Sequence, residues 1–272
     1  MLGIMARKFI EAAAATDLGN VRQYNEDSIA MDPELGVVAV ADGMGGHRAG
    51  EVASAMATQI VLAGLRQRLA ELRSGADQHS PLLAVEESIN QANLAIWGAA
   101  RAHAGRLGMG TTLALALFHD NRIVIGHIGD SRVYRLRGGK LQLMTRDDSL
   151  LRDQVDAGLI SVADAGESHN RNLVTQALGV AAQIAAHVRQ VDAMPGDLVL
   201  LCSDGLNDLV DDADIELILQ ELGANLPLAA HLLVQTAKDN GGYDNITAIV
   251  ARVRKPFPAA RGWQRRLFGW QH

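Results

Sequence analysis

Four times in this chain a short apolar segment meets an aspartate beside a glycine or another turn residue. The segments are Val40-Ala41-Asp42-Gly43, Ile128-Gly129-Asp130-Ser131, Leu201-Cys202-Ser203-Asp204-Gly205 and, in the reverse sense, Gly241-Gly242-Tyr243-Asp244-Asn245 ahead of a last apolar run. The continuous apolar run Gly36-Val37-Val38-Ala39-Val40-Ala41, which ends at Asp42, reads as a strand buried on both faces. A carboxylate at the end of such a strand is costly to desolvate unless it is paired or binds a cation. A neighbouring glycine lets a backbone carbonyl approach the same ion. Hard cations such as Mg²⁺ and Mn²⁺ take oxygen ligands, so aspartates without cysteine or paired histidine suit them. One Asp-Gly after a strand is usually only a turn. Spacing alone leaves open whether the four converge.

The surrounding pattern alternates between strand and helix blocks. Phe9 to Ala15 and Gly36 to Ala41 read as strands. Val52, Met56, Ile60 and Ala63 recur at helical spacing toward a stop at Arg73-Ser74-Gly75. A second helix begins at Ser80-Pro81, with serine as cap and proline at the first helical position, and runs to about His103. Four strands then follow in close order, Thr111 to Phe118, Arg122 to His127, Arg132 to Leu136 and Lys140 to Met144, and their short turns predict antiparallel pairing. Asp147 to Gly179 is polar and mixed, a partly helical excursion. A strand pair at Ile184 to Val191 and Asp197 to Cys202, helices over about Asp212 to Leu222 and Leu226 to Asp239, and a strand at Asn245 to Val253 complete the pattern. Such blocks fit an α+β fold of antiparallel sheets with helices outside.

Composition narrows the function. Six of the 25 basic residues follow Asp244 and none of the 31 acidic ones does, so the remainder carries about −12 against a total of −6. An acidic body argues against nucleic acid as the main partner and suits a collector of divalent cations. No apolar stretch has the length of a membrane span. At the N-terminus, Arg7 and Lys8 follow the apolar residues instead of preceding them, unlike a signal peptide. The single cysteine, Cys202, excludes a disulfide framework or zinc finger and is expected as a small core residue. The expected compartment is the cytoplasm. Gly43-Met44-Gly45-Gly46-His47 lacks a following Gly-Lys-Ser/Thr, so it is not a nucleotide P-loop. His103, His119, His127, His169, His187 and His231 show no paired metal-ligand spacing and are expected at the surface or satisfied in the core.

Six segments in order carry a resemblance. Arg22-Gln23-Tyr24-Asn25-Glu26-Asp27, Ala41-Asp42-Gly43-Met44-Gly45-Gly46-His47, Met109-Gly110-Thr111-Thr112, Gly129-Asp130-Ser131-Arg132, Ser203-Asp204-Gly205-Leu206 and Gly242-Tyr243-Asp244-Asn245-Ile246-Thr247 resemble the motifs of the protein phosphatase 2C family in its bacterial form. The resemblance implies an α-β-β-α sandwich, two central antiparallel sheets flanked by helices. It also implies a serine/threonine phosphoprotein phosphatase that uses two Mn²⁺ or Mg²⁺ ions. By that resemblance Asp42 bridges the ions, the Gly43 carbonyl completes one of them, and Asp204 and Asp244 hold the other. Glu26 and Asp27 act mostly through metal-bound water, Asp130 holds a third, weaker ion, and Arg22 grips the phosphate. A hydroxide bridging the ions attacks phosphorus in line, without a phosphoenzyme. His47 is the candidate to protonate the departing oxygen.

The implied partners are phosphorylated proteins and an opposing bacterial serine/threonine kinase, with the enzyme a monomer. The phosphatase domain is expected over residues 9–254, after a stub at 1–8 and before a basic, aromatic tail at 255–272 that is disordered or docks on an acidic partner or membrane surface. The excursion at about 147–179 resembles a flap beside the active site of bacterial members. Two departures border it: Thr145-Arg146-Asp147-Asp148-Ser149 has Asp148 where the family has histidine, and His169-Asn170-Arg171-Asn172 has Asn170 in place of proline. They bear on substrate preference. Alternative functions on the same fold are a non-catalytic module that binds phosphoproteins and a hydrolase of small phosphate esters.

Overall fold

The computed structural model describes residues 2–6, 9–32, 35–45, 49–74, 80–106, 108–161 and 173–258. Two antiparallel sheets lie face to face. The first has the order β1 (Leu2–Ala6), β2 (Ile10–Asp17), β12 (Ile246–Val253), β11 (Leu198–Cys202), β8 (Arg132–Arg137) and β9 (Lys140–Leu143). The second runs β10 (His187–Asp192), β7 (Arg122–Ile128), β6 (Leu113–His119), β4 (Val37–Met44) and β3 (Asp27–Asp32), with the short β5 (Gly110–Thr111) paired to the end of β4. Helices α1 (Ala49–Ser74) and α2 (Pro81–Ala102) cover the second sheet, and α5 (Asp212–Leu222) and α6 (Leu226–Asp239) cover the first. Two short helices, α3 (Leu150–Asp156) and α4 (Asp204–Asn207), lie in connections. The α-β-β-α sandwich is thus present.

Three apolar layers follow from the two-residue period of the strands. Along β4, Val37, Ala39 and Ala41 join the layer under α1 and α2, while Val38 and Val40 join the layer between the sheets. In β2, Ala13 and Ala15 meet α6, and Ala12 and Ala14 turn to the opposite sheet. Alanine is a poor strand former. Hydrogen bonding to β1 on one side and β12 on the other holds this run extended. Helix α2 starts as its sequence predicts: the Ser80 hydroxyl accepts from the Leu83 amide at 3.2 Å, with Pro81 at the first helical position. Among the described residues no helix is long and apolar enough to cross a membrane.

The structure departs from the sequence expectations in five places. The expected N-terminal stub supplies β1, an edge strand paired with β2 from Leu2 to Ala6. The strand β3, with polar residues at both ends and no continuous apolar run, forms because it pairs with β4 along its length. The strands β7 and β8 do not form a hairpin, because the chain crosses from the second sheet to the first at Gly129-Asp130-Ser131. Gly129 makes that crossing possible: its φ is +99°, and a Cβ there would lie 2.7 Å from the Thr112 methyl. The two strands expected to pair after the excursion lie in different sheets, β10 against β7 and β11 between β8 and β12. Lastly, the tail begins inside the fold, since Phe257 is buried, stacks on Phe9 at 4.8 Å and touches Phe118 edge-on. The remainder of the tail, 259–272, lies outside the described residues.

Candidate metal centre

At one end of the sandwich, strand ends from both sheets deliver their aspartates to a single place. Asp27 opens β3 directly opposite Asp42 of β4. Asp130 stands at the crossing between sheets, Asp204 begins α4 just after β11, and Asp244 precedes β12. A cavity of about 300 Å³ lies there, lined by Arg22, Glu26, Asp42, Gly43, Asp130, Asp204 and Asp244, with Thr112, Asn245 and Val174 also in the wall, and with Asp27 behind it opposite Asp42. The described parts of the sequence-expected set are therefore brought together. His47 lies outside the described residues, as does the segment with Asn170.

The local backbone explains how so many carboxyls are held. Gly43 and Gly50 meet back to back: a Cβ on Gly43 would lie 2.1 Å from the Gly50 carbonyl oxygen, and one on Gly50 would lie 2.6 Å from Gly43. Only glycine at both positions lets the start of α1 come so close to the end of β4. The Gly43 amide donates to the Glu26 carbonyl at 3.2 Å. Asp42 is clamped through its backbone, its amide donating to the Thr112 hydroxyl and its carbonyl accepting from the Thr112 amide and the Thr111 hydroxyl. Asn245 secures the opposite wall, with its side chain accepting from the Glu26 amide and donating to the carbonyls of Leu18 and Tyr24. Ser203 and Thr247 both donate to Asp27 Oδ2, at 2.8 and 2.6 Å. Thr112, Asn245, Ser203 and Thr247 received no role from the sequence. Each stands inside a quoted motif, but a hydroxyl or amide that positions a neighbour leaves no pattern of its own.

The electrostatics are those of a site with too much negative charge for its surroundings. Burial pushes the Asp27 carboxyl up to about 6, although Thr247 and Ser203 oppose it. Asp130 is pushed up to about 7 by burial and then by Asp147. Asp42 is raised well above the carboxylate range by burial and by Asp27 and Asp204, and Asp204 by burial and by Asp130 and Asp208. Two buried carboxylate oxygens, Asp27 Oδ1 and Asp204 Oδ1, have no hydrogen-bond partner. Arg22 is the single basic residue among the described residues of the lining, and it pairs with Asp244 at 2.6 Å while half exposed. One guanidinium does not balance this set. Oxygen donors, buried, crowded and partly unpartnered, fit divalent hard cations. The thiol of Cys202 is buried and pushed up to about 12 by its burial, so it is no nucleophile near neutral pH.

One sequence expectation about histidine is overturned. His127 and His187, which show no ligand spacing in the sequence, face each other in register across β7 and β10. His127 is buried with Nδ1 unpartnered, so it is neither at the surface nor satisfied. Asp148, the departure from the family pattern, is buried beside them and pairs with His187 at 2.9 Å.

Known proteins resemble this chain in sequence and fold. The sequence model of the family described as protein phosphatase 2C matches residues 20–229. The serine/threonine protein phosphatase PstP of Mycobacterium tuberculosis is 40% identical over 242 residues, which is 89% of this chain and 44% of that protein. This chain thus spans under half the length of that relative. The serine/threonine phosphatase stp of Listeria innocua is 35% identical over 244 residues, 89% of this chain and 95% of that protein. Among solved structures, the catalytic domain of PstP in complex with 2 manganese ions superposes with a TM-score of 0.77 at 37% identity, covering 94% of this chain and 100% of that one.

Proposed function

Because the chain belongs to the protein phosphatase 2C family, we propose that it is a metal-dependent serine/threonine phosphoprotein phosphatase, acting as a cytoplasmic monomer in signalling opposite a serine/threonine kinase. The observation that carries this is the convergence of Asp42, Asp130 and Asp204, all held above the usual carboxylate range, on one cavity beside Arg22, with Asp27 opposite Asp42 and raised likewise. The two manganese ions of the similar PstP domain support Mn²⁺ or Mg²⁺ as the cation.

Asp42, Asp204, Asp244 and the Gly43 carbonyl would hold two ions, with Glu26 and Asp27 acting mostly through water and Asp130 holding a weaker third. Bound there, the cations supply Lewis-acid polarisation of the phosphate ester and make water acidic enough to be deprotonated near neutral pH. The chain's residues prepare for that. Arg22, half exposed at the cavity and steadied by Asp244, can present its guanidinium fork to phosphoryl oxygens and stabilise their charge. Ser203 and Thr247 fix the Asp27 carboxyl by one oxygen and leave Oδ1 free to accept. Thr111 and Thr112 hold the Asp42 backbone against the crossing at Gly129. Val174, from the far side of the excursion, closes part of the wall. The half-exposed Arg22 is reachable by a phosphorylated side chain on another protein, which favours proteins over small esters as substrates.

The test is turnover of p-nitrophenyl phosphate and of a phosphothreonine peptide with Mn²⁺, Mg²⁺ or EDTA. The expected result is turnover that needs the metal and is faster on the peptide. A folded sample with no turnover under any metal would replace this proposal with the phosphoprotein-binding module.

A further inference from the structure

A second cluster of metal-ligand side chains gathers around the Gly129 peptide. His127 and His187 are register partners on β7 and the edge strand β10, and their rings stack 5.7 Å apart at 25°. Asp148 follows β9 and is 1% exposed. One ring nitrogen or carboxylate oxygen from each of the three lies within 4.8 Å of the others.

The hydrogen bonds settle which atoms are available. His127 Nε2 lies 2.8 Å from the Gly129 carbonyl oxygen, which can only accept, so Nε2 carries the proton and Nδ1 presents a lone pair. That Nδ1 is buried and has no partner, an arrangement that is destabilising when nothing satisfies it. An imidazole whose second nitrogen donates to a backbone carbonyl is the usual form of a metal-binding histidine. Burial lowers the His127 pKa, which keeps the ring neutral. Asp148 is fixed likewise: Oδ2 accepts from the Gly129 amide at 3.0 Å, and Oδ1 meets His187 Nε2 at 2.9 Å. A cavity of about 230 Å³ opens onto His127 and His187 and provides both an entry path and room for a further ligand. Two arginines border it. Arg146 is neutralised by Asp153 and Asp156, and Arg189 donates to the Met144 carbonyl.

We propose that His127, Asp148 and His187 form a binding site for a borderline divalent transition ion of the Zn²⁺ type, separate from the aspartate cluster. Two imidazoles and one carboxylate suit Zn²⁺, whereas Mg²⁺ and Mn²⁺ favour all-oxygen sets. The ion satisfies His127 Nδ1 and takes the place of the hydrogen bond between His187 and Asp148. The two sites share no ligand.

The experiment uses the full chain carrying Asp42→Asn and Asp204→Asn, so that the aspartate cluster cannot compete, dialysed with excess Mg²⁺ and then titrated with Zn²⁺ or with Co²⁺ as a visible probe. The expected result is one tightly held equivalent per chain, with a Co²⁺ spectrum of nitrogen ligation. His187→Ala, at a half-exposed position that should leave folding intact, is expected to weaken that binding at least tenfold, and His127→Gln to do the same. Absence of a bound equivalent, or equal affinity with and without His187→Ala, would overturn the site and reduce the cluster to a buried hydrogen-bonded pair.

Discussion

Strand β11 carries an aspartate just before its first residue and another shortly after its last, and the two have opposite fates. Asp197 precedes Leu198 and is 1% exposed, yet Arg137 from the neighbouring β8 meets both its oxygens, at 2.7 and 2.6 Å. The Met194 amide adds a third hydrogen bond at 2.8 Å. Asp204, beyond Cys202, is also buried, but its Oδ1 has no partner and its neighbours include Asp42, Asp130 and Asp208. A buried carboxylate with a bidentate arginine is complete and serves the fold. One surrounded by other carboxylates is incomplete, and a cation is what completes it. The contrast separates a carboxylate that the fold has paired from one that it has left without a partner.

The sharpest way to break this contrast is Asp204→Asn. Phosphatase activity at saturating Mn²⁺ should fall by roughly 10³-fold or more, equivalent to about 4 kcal/mol of transition-state stabilisation. The circular dichroism spectrum should be unchanged, since amide and carboxyl have the same shape. Retention of most of the rate would remove Asp204 from the centre.

The next effect is on stability against pH, without metal. Unfolded aspartates release their protons near 3.8, whereas Asp27 and Asp130 in the fold hold theirs to about 6 and about 7. The folded state therefore binds more protons in that window, and stability present below about pH 4 is lost as pH rises toward 7. The melting temperature of EDTA-treated protein should drop on the order of 10 °C between pH 5 and pH 8. Saturating Mn²⁺ should remove most of the drop, and Asp130→Asn should flatten it. A metal-free protein equally stable at both values would mean that the carboxyls are not crowded.

Asp197→Asn should have the smallest effect and the opposite character. Losing the charge partner of Arg137 should cost about 2 kcal/mol of stability, or about 5 °C in melting temperature. The turnover number of the folded protein should stay within about twofold of the original, because the residue lies at the far end of β11 from the cavity. A large loss of turnover would make Asp197 part of the functional machinery.

Much of the architecture was legible in local pattern. The α2 cap, the turns of β6–β7 and β8–β9, the strand runs and the two C-terminal helices follow from short-range chemistry. Two of the edge strands were not legible: β1 and β3 have no strong pattern and exist because β2 and β4 offer open hydrogen bonds. Neither was the crossing at Gly129, since a tight turn between sheets and a tight turn within a hairpin use similar residues. The aspartates of the candidate site stand out in the sequence through their ordered motifs. Its positioning residues Thr112, Asn245, Ser203 and Thr247 do not, because their partners are remote in sequence, as with Ser203 and Asp27, 176 positions apart.

Gly196-Asp197-Leu198 follows the same pattern as the segments around Asp42, Asp130, Asp204 and Asp244, an aspartate beside a turn residue at the edge of an apolar run. Local pattern required strands buried on both faces with charges at their ends, because hydrophobic period and turn chemistry act over a few residues. Which of those charges would meet an arginine and which would meet one another depended on pairing between remote segments. Sheet order and register fix that choice, by setting Arg137 beside Asp197 and Asp27 opposite Asp42. The same register set His127 against His187, 60 residues apart in a chain whose spacing gave no sign of it.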